Sequence, residues 1–324
     1  MKTASLADVA SAHSLLLGHA PSLAEEASYR ARLARRPLRF EELAEEMLHS
    51  PEFTARFGRL VRSMDDDVVE GTVDGVSVFL RRSDVLISGP VLAGHPHEPH
   101  VWAALVPLLL PGTTFVDVGA NVGLFALPAA RRVGPSGRVI AVEPLSDNVQ
   151  LLCAAAARNR FDNLDVMPFA ASDRRGVVTV VSRRETTNSF TPPDRVVRPS
   201  SPCAPSAPLD ALLGNFARID LVKIDVEGYE PAVLAGAREL LARHRPTILV
   251  EFNPFGLEAN FGQDPHRLAD WLLDYGGEVT VLTRDLAPAT CSSGPEIMRA
   301  WQAANARLGL DGRAHVDVLA RART

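Results

Sequence analysis

Acidic residues close several apolar runs in this sequence, where buried strands present polar tips to a ligand. The densest case is Leu221-Val222-Lys223-Ile224-Asp225-Val226-Glu227-Gly228-Tyr229-Glu230, with three acids within six positions. Ligands of open α/β sheets bind outside the carboxyl ends of the strands. Asp225 is therefore the candidate to stand beside a reacting group, as a base or as the orienter of one. Glu227 and Glu251, the latter in Glu251-Phe252-Asn253-Pro254, would line the same side. Glu230, and less strongly Glu227, also suits the first turn of a helix, whose positive dipole end favours acids.

A second constellation lies upstream. Thr114-Phe115-Val116-Asp117-Val118 runs into Gly119-Ala120-Asn121-Val122-Gly123. Glycines there allow a tight turn and close approach of a ligand to the backbone, and the amides opening the next helix offer donors at a positive dipole end. Asp117 could hold an ammonium, directly or through water. Glu143, twenty residues past Gly123, closes the next apolar run and could accept both hydroxyls of a ribose. A dinucleotide fingerprint beginning at Gly119 requires Gly at 121 and Gly or Ala at 124, whereas this chain has Asn121 and Leu124. That spacing favours S-adenosylmethionine over a nicotinamide dinucleotide, although Glu143 suits either. In Ala170-Ala171-Ser172-Asp173, Ala171 and Asp173 fall where an adenine would lie. Asp173 could accept its amino group, but alone reads as a turn residue.

The elements that must position these groups are legible as period and punctuation. Strands are expected at 114–118, 138–143, 164–169, 219–225, 247–252, 278–283 and 315–320, with helices near 101–110, 123–133, 147–159, 230–243 and 264–275. Alternation of this kind predicts a mostly parallel sheet covered on both faces. Val68 to Val73 and Val76 to Leu80 flank Asp74-Gly75, a hairpin signal. Residues 1–66 read as a small all-helical domain, with Leu6, Val9, His13, Leu16 and Leu17 at helical spacing. A further helix starts at Ser50-Pro51-Glu52 and carries Phe53, Phe57, Leu60, Val61 and Met64 on one face. Asp65-Asp66-Asp67 reads as a solvated junction to the domain over 67–324. Thr191 to Pro208, with six prolines, is expected to hold no regular element. It reads as a surface insertion or an acceptor-binding loop.

Composition removes several function classes. The 324 residues are 46% hydrophobic and 23% charged, with mean hydropathy +0.04, as in ordinary globular proteins. A net charge of −5 gives no basic footprint for nucleic acid. No run of about 18 apolar residues suggests a membrane span, and no secretory signal is apparent. Cys153, Cys203 and Cys291 are sparse and scattered, as a reducing cytoplasm tolerates. The expectation is a cytoplasmic protein acting on a small molecule, without nucleic acid or membrane partners; a homo-oligomer stays open.

Phe115 to Gly123, Glu143-Pro144, Ala171-Ser172-Asp173, Lys223 to Glu230 and Val250-Glu251 together resemble the FkbM family of methyltransferases, over roughly residues 68–321. Glu98-Pro99 resembles a further family feature. The resemblance implies a Rossmann-like class I methyltransferase sheet of seven strands with the last antiparallel. It also implies S-adenosyl-L-methionine as methyl donor, S-adenosyl-L-homocysteine as product, and a hydroxyl of a natural product, sugar or glycan as acceptor. Mg²⁺ is not favoured: Asp225, Glu251 and Asn253 could supply hard oxygen ligands, but Glu-Phe-Asn poorly matches the paired aspartates of related metal-dependent methyltransferases. His95, His97 and His100 lack a spaced ligand partner, and one of them could instead be the base. Leu15-Leu16-Leu17-Gly18 and Leu48 to Phe53 resemble a small domain found ahead of some methyltransferases and glycosyltransferases. The competing classes are a nicotinamide-dependent oxidoreductase on a similar sheet and a non-catalytic cofactor-binding protein.

Overall fold

The computed structural model describes residues 4–13, 19–36, 38, 42–43, 46–47, 50–52, 67–182, 189–190 and 202–323. The chain divides into two compact units, Met1–Val68 and Val69–Thr324. In the first, helices Leu6–Ala12 and Leu23–Arg35 both open on a capping box, Ser5 with Asp8 and Ser22 with Glu25. In each, two orphan amides of the first turn are satisfied reciprocally. Val9, Tyr29, Leu38, Leu43 and Met47 form the buried cluster of this unit. The helix expected from Phe53 to Met64, and the acids Asp65 and Asp66, lie outside the described residues.

The second unit opens with the expected hairpin, β1 (Val68–Val73) and β2 (Val76–Arg81). Asp74 and Gly75 both take positive φ, +48° and +74°, as its two-residue turn requires. In chain order follow β3 (Thr114–Val118), β4 (Arg138–Val142), β5 (Leu164–Met167), β6 (Ala170–Ala171), β7 (Gly176–Thr179), β8 (Val181–Ser182), β9 (Ser189–Phe190) and β10 (Cys203–Ala207). The chain then gives β11 (Leu221–Ile224), β12 (Thr247–Phe252), β13 (Val279–Leu282), β14 (Ala289–Cys291) and β15 (Val316–Arg321). The main sheet has the order β14-β13-β15-β12-β11-β3-β4-β5.

β3, β4, β5, β11 and β12 pair in parallel, and β15 enters antiparallel between β12 and β13. This is the seven-stranded class I methyltransferase arrangement, with β14 added as an eighth strand outside β13. Strands covered by helices on both faces must be apolar throughout. Accordingly Val116, Val222, Ile248, Val250, Phe252 and Val318 are buried in one core. The chain builds outward from β3 to β5, then returns to start again at β11. The junction of β3 and β11 is therefore the switch point where such sheets bind ligands.

Three expectations need correction. The helix expected over 230–243 is two, Glu230–Ala235 and Arg238–His244. They part at Gly236, where a Cβ would stand 1.9 Å from the carbonyl oxygen of Ser172. Of the Pro-rich stretch, residues 191–201 lie outside the described residues, and its end, expected to hold no regular element, forms β10 between β6 and β7. The Val180 amide bonds the Pro202 carbonyl, which places the β7 bonds on positions 202, 204 and 206. Pro205 falls between them and withholds no donor from β7. Finally, helices Pro254–Phe261 and Gly294–Leu308 were not expected; Asn253 caps the first by accepting the Gly256 amide at 2.9 Å. Among the described residues no helix is long and apolar enough to cross a membrane.

Phe115 is a large, fully buried side chain of β3. Phe115→Ala should destabilise the second unit by about 3–5 kcal/mol, read from urea unfolding followed by circular dichroism.

Candidate active site

A cleft of about 450 Å³ opens over the carboxyl ends of β3, β4, β11 and β12. Its floor depends on one close approach. Gly119 has φ +81°, and a Cβ there would meet the Asp225 carbonyl oxygen at 1.9 Å. The turn after β3 thus lies directly on the chain leaving β11. Asn121 takes a left-handed φ of +52° and turns its amide onto Glu143 Oε2 at 2.9 Å. Glu143 Oε1 accepts the Leu145 amide at 2.9 Å and the Asn148 side chain at 3.3 Å. Burial pushes the Glu143 pKa up to about 7 despite these donors.

Of the cofactor-side candidates, Gly119, Asn121, Glu143 and Ala171 line the cleft, while Asp117, Gly123 and Asp173 do not. Asp117 is buried behind the wall, and both carboxylate oxygens lack a hydrogen-bond partner among the described residues. Burial, reinforced by the Asp225 charge and opposed by Lys223, pushes its pKa up to about 6. Gly123 serves packing: at φ +90°, a Cβ would press 2.3 Å from Leu152 Cδ1. Asp173 is drawn off because the Ser172 amide bonds the Ala207 carbonyl of β10, and the chain then turns toward β7. Its side chain is 43% exposed and accepts the Ser172 hydroxyl at 3.2 Å.

The structure brings Asp225, Glu227 and Glu251 together on the other side of the cleft. Between the two sides stands Lys223, buried on β11, with Nζ 2.7 Å from Asp225 Oδ2 and 4.8 Å from the centre of the Phe125 ring. Burial disfavours its ammonium, but the charges of Asp225, Asp117 and Glu98 outweigh it and hold the pKa above the ordinary lysine value. Glu230 is fully buried, and its Oε1 accepts the amides of Val226 and Gly228. That closes the turn in which Glu227 and Gly228 have φ +59° and +101°. Burial pushes the Glu230 pKa up to about 7.

Sequence reasoning missed the group that joins the far wall. His315, just before β15, has Nδ1 3.0 Å from Glu251 Oε1 and Nε2 3.2 Å from Glu98 Oε1. Burial opposes its positive charge, but the two carboxylates raise its pKa well above the ordinary value, so both nitrogens donate. Glu98, also opposed by burial, is held below the usual carboxylate range by the His315 hydrogen bond and by the charges of His97, His315 and Lys223. Arg284 comes within 3.5 Å of the same Glu98 oxygen. Burial and the charges of Glu227 and Asp225 drive the Glu251 pKa well up. His100 Nε2 lies 3.2 Å from Asp317 Oδ2 on β15. The available signal was two polar residues, His315 and Asp317, opening an otherwise apolar strand. Asn253, weighed as a metal ligand, has its side-chain oxygen engaged by the Gly256 amide.

The methyltransferase FkbM domain family matches residues 117–279. Among solved structures, methyltransferase FkbM from Methylobacillus flagellatus KT is similar at 13% identity, covering 92% of this chain and 71% of that one, with TM-score 0.40. The O-methyltransferase from Bacillus cereus in complex with SAH is similar at 15% identity, covering 68% and 77%, with TM-score 0.38. Fibrillarin from Aeropyrum pernix with natively bound S-adenosyl-L-methionine is similar at 13% identity, covering 78% and 98%, with TM-score 0.39. No curated protein matches the chain in sequence.

Two outcomes are expected from this geometry. Gly119→Ala forces a side chain onto the Asp225 backbone at positive φ, and should cost roughly 2–4 kcal/mol of stability in chemical unfolding. A carboxyl whose pKa rises on folding stabilises fully below its unfolded pKa and loses that contribution as pH rises through the folded one. For Glu230 the window runs from the ordinary 4.5 to about 7. Relative to wild type, Glu230→Gln should therefore gain up to roughly 1.4 kcal/mol per pH unit across it. Parallel pH profiles of the unfolding free energy check this.

Proposed function

As this chain belongs to the FkbM methyltransferase family, we propose that it moves a methyl group from S-adenosylmethionine to a hydroxyl oxygen of a small molecule, a natural product or a sugar. The observation that carries this reading is a single cleft joining a glycine-and-carboxylate cradle to a wall of three further carboxylates. The cradle fits the cofactor on its own chemistry. The close-packed Gly119 turn leaves backbone open to a ligand, and Asp117, buried behind it, places a carboxyl near that turn without lining the cleft. Glu143, fixed by three donors at the tip of β4, is the group for ribose hydroxyls, with Asn121 and Ala171 beside it. Asp173 stays outside that role.

Bound S-adenosylmethionine supplies a methyl already activated on a sulfonium, so the chain's task is alignment, worth on the order of 7–11 kcal/mol. Asp225, held by Lys223, is placed to accept a hydrogen bond from an acceptor hydroxyl neighbouring the reacting one, while Glu227 and Glu251 line the acceptor side. Carboxylates suit hydroxyl donors, which supports oxygen as the acceptor atom. The proposed mechanism assigns no step to Mg²⁺. A net charge of −5 supports a small-molecule acceptor over nucleic acid, and we place the reaction in the cytoplasm.

Calorimetric titration with S-adenosylhomocysteine should give micromolar binding that Glu143→Ala abolishes. Tritiated methyl donor should then label hydroxylated acceptors in a panel of sugars and natural-product alcohols. Folded protein that fails to bind S-adenosylhomocysteine would remove this reading.

A further inference from the structure

A hydroxyl must lose its proton when it is methylated, and most of the ionisable groups lining this cleft, Glu227 included, already hold a partner. Asp225 has an oxygen held by the Lys223 ammonium at 2.7 Å. Glu98 shares an oxygen between His315 and Arg284. Glu251 gives one oxygen to His315, and its other is buried without a partner. Both nitrogens of His315 face carboxylates, which leaves the ring no lone pair to offer. His100 faces Asp317 through Nε2, and its Nδ1 is buried.

We propose, building on the methyl-transfer reading above, that His97 is the general base of this site and that Glu98 stabilises the imidazolium it becomes. His97 lines the cleft, and its ring packs on Phe125 at 5.4 Å between centroids. The Phe125 ring also carries the Lys223 ammonium, whose partner is Asp225. His97 and Asp225, the residue assigned to orient the acceptor, thus line one cleft, and the Asp225 charge reaches the His97 ring. Among the described residues no hydrogen bond engages the His97 ring. Its Nε2 is 3.8 Å from Glu98 Oε2, too long for a hydrogen bond but near enough to favour a positive ring. Glu98 adopts φ +37°, which is uncommon for a residue with a side chain, and this turn sets both side chains on one cleft.

The charges facing His97 are Glu98 and Asp225, which favour the imidazolium, and Lys223 and Arg284, which oppose it. Burial is the largest influence and pushes the pKa below the ordinary 6.5, so the ring is neutral at neutral pH and can accept a proton. In the step, the hydroxyl proton moves to an imidazole nitrogen as the acceptor oxygen bonds the methyl carbon. The electron pair of the broken carbon–sulfur bond stays on sulfur, and the imidazolium then returns its proton to solvent.

Histidine-labelled full-length protein, with the His97 signal assigned by its loss in His97→Gln, should show His97 neutral at pH 7 by NMR. It should titrate below 6.5, and lower still in Glu98→Gln. With a hydroxyl acceptor from the panel, His97→Gln should lose about 10²–10⁴ in turnover and the acidic limb of the pH profile, with S-adenosylhomocysteine affinity unchanged. A His97 ring already protonated at pH 7, or wild-type turnover in His97→Gln, would overturn the proposal. Failure of wild-type protein to bind S-adenosylhomocysteine would instead strike the methyl-transfer reading itself.

Discussion

Burying an ammonium is among the more expensive things a fold can do, and this one buries Lys223 in the central strand of its site. An isolated charge there would cost several kcal/mol or simply lose its proton. It stays charged because Asp225, Asp117 and Glu98 surround it, contributed by β11, β3 and the segment before the helix Pro99–Leu105. The Phe125 ring adds its electron-rich face from the helix after β3. Four separate pieces of chain thus converge on one atom. Removing it would leave Asp225 and Asp117 without their cation, each pushed toward its neutral form, while Glu98 would keep His315 and Arg284.

The rest of the site is arranged as braces around that charge. Gly119 lets the turn after β3 touch the Asp225 carbonyl, so the cofactor cradle and the reacting side share a boundary with no side chain between them. Glu230 ties the turn after β11 from within by holding two of its amides. Glu143 does the same for the turns after β3 and β4. On the far wall the His315 cation repeats the theme, joining Glu98 and Glu251. Carboxylates that a purely structural site would spread apart are concentrated here because two cations, buried Lys223 and half-buried His315, make their company tolerable.

How much of this the sequence announces depends on distance along the chain. The sheet was legible because parallel strands buried on both faces leave continuous apolar runs, and the acids at their tips marked Asp225, Glu143 and Glu251 directly. Asp117 was legible too, but not its place behind the wall. The Glu98–His315 and His100–Asp317 pairs were not, since each spans 217 residues and no local period links their members. Gly236 breaks a helix for the sake of a carbonyl more than sixty residues earlier, at Ser172. Glu230 read as an acid of a helix's first turn, which is true of its backbone and silent about its side chain. Asp173 had the right address in the chain and was turned aside by β10, a strand hidden among prolines.

β15 is the latest strand of the main sheet in chain order, yet it lies between β12 and β13, which precede it. Those two strands cannot close against each other first without barring its entry. β13 therefore reaches its final place in the sheet only once β15, which follows the helix Gly294–Leu308, has been made. Until then Glu251 and Glu98 lack the His315 that joins them, and β12 lacks its antiparallel partner. Long-range pairings of this kind are slow and exposed to wrong partners. The strand that completes the acceptor wall is thus also the one whose late arrival leaves the nascent protein most in need of protection.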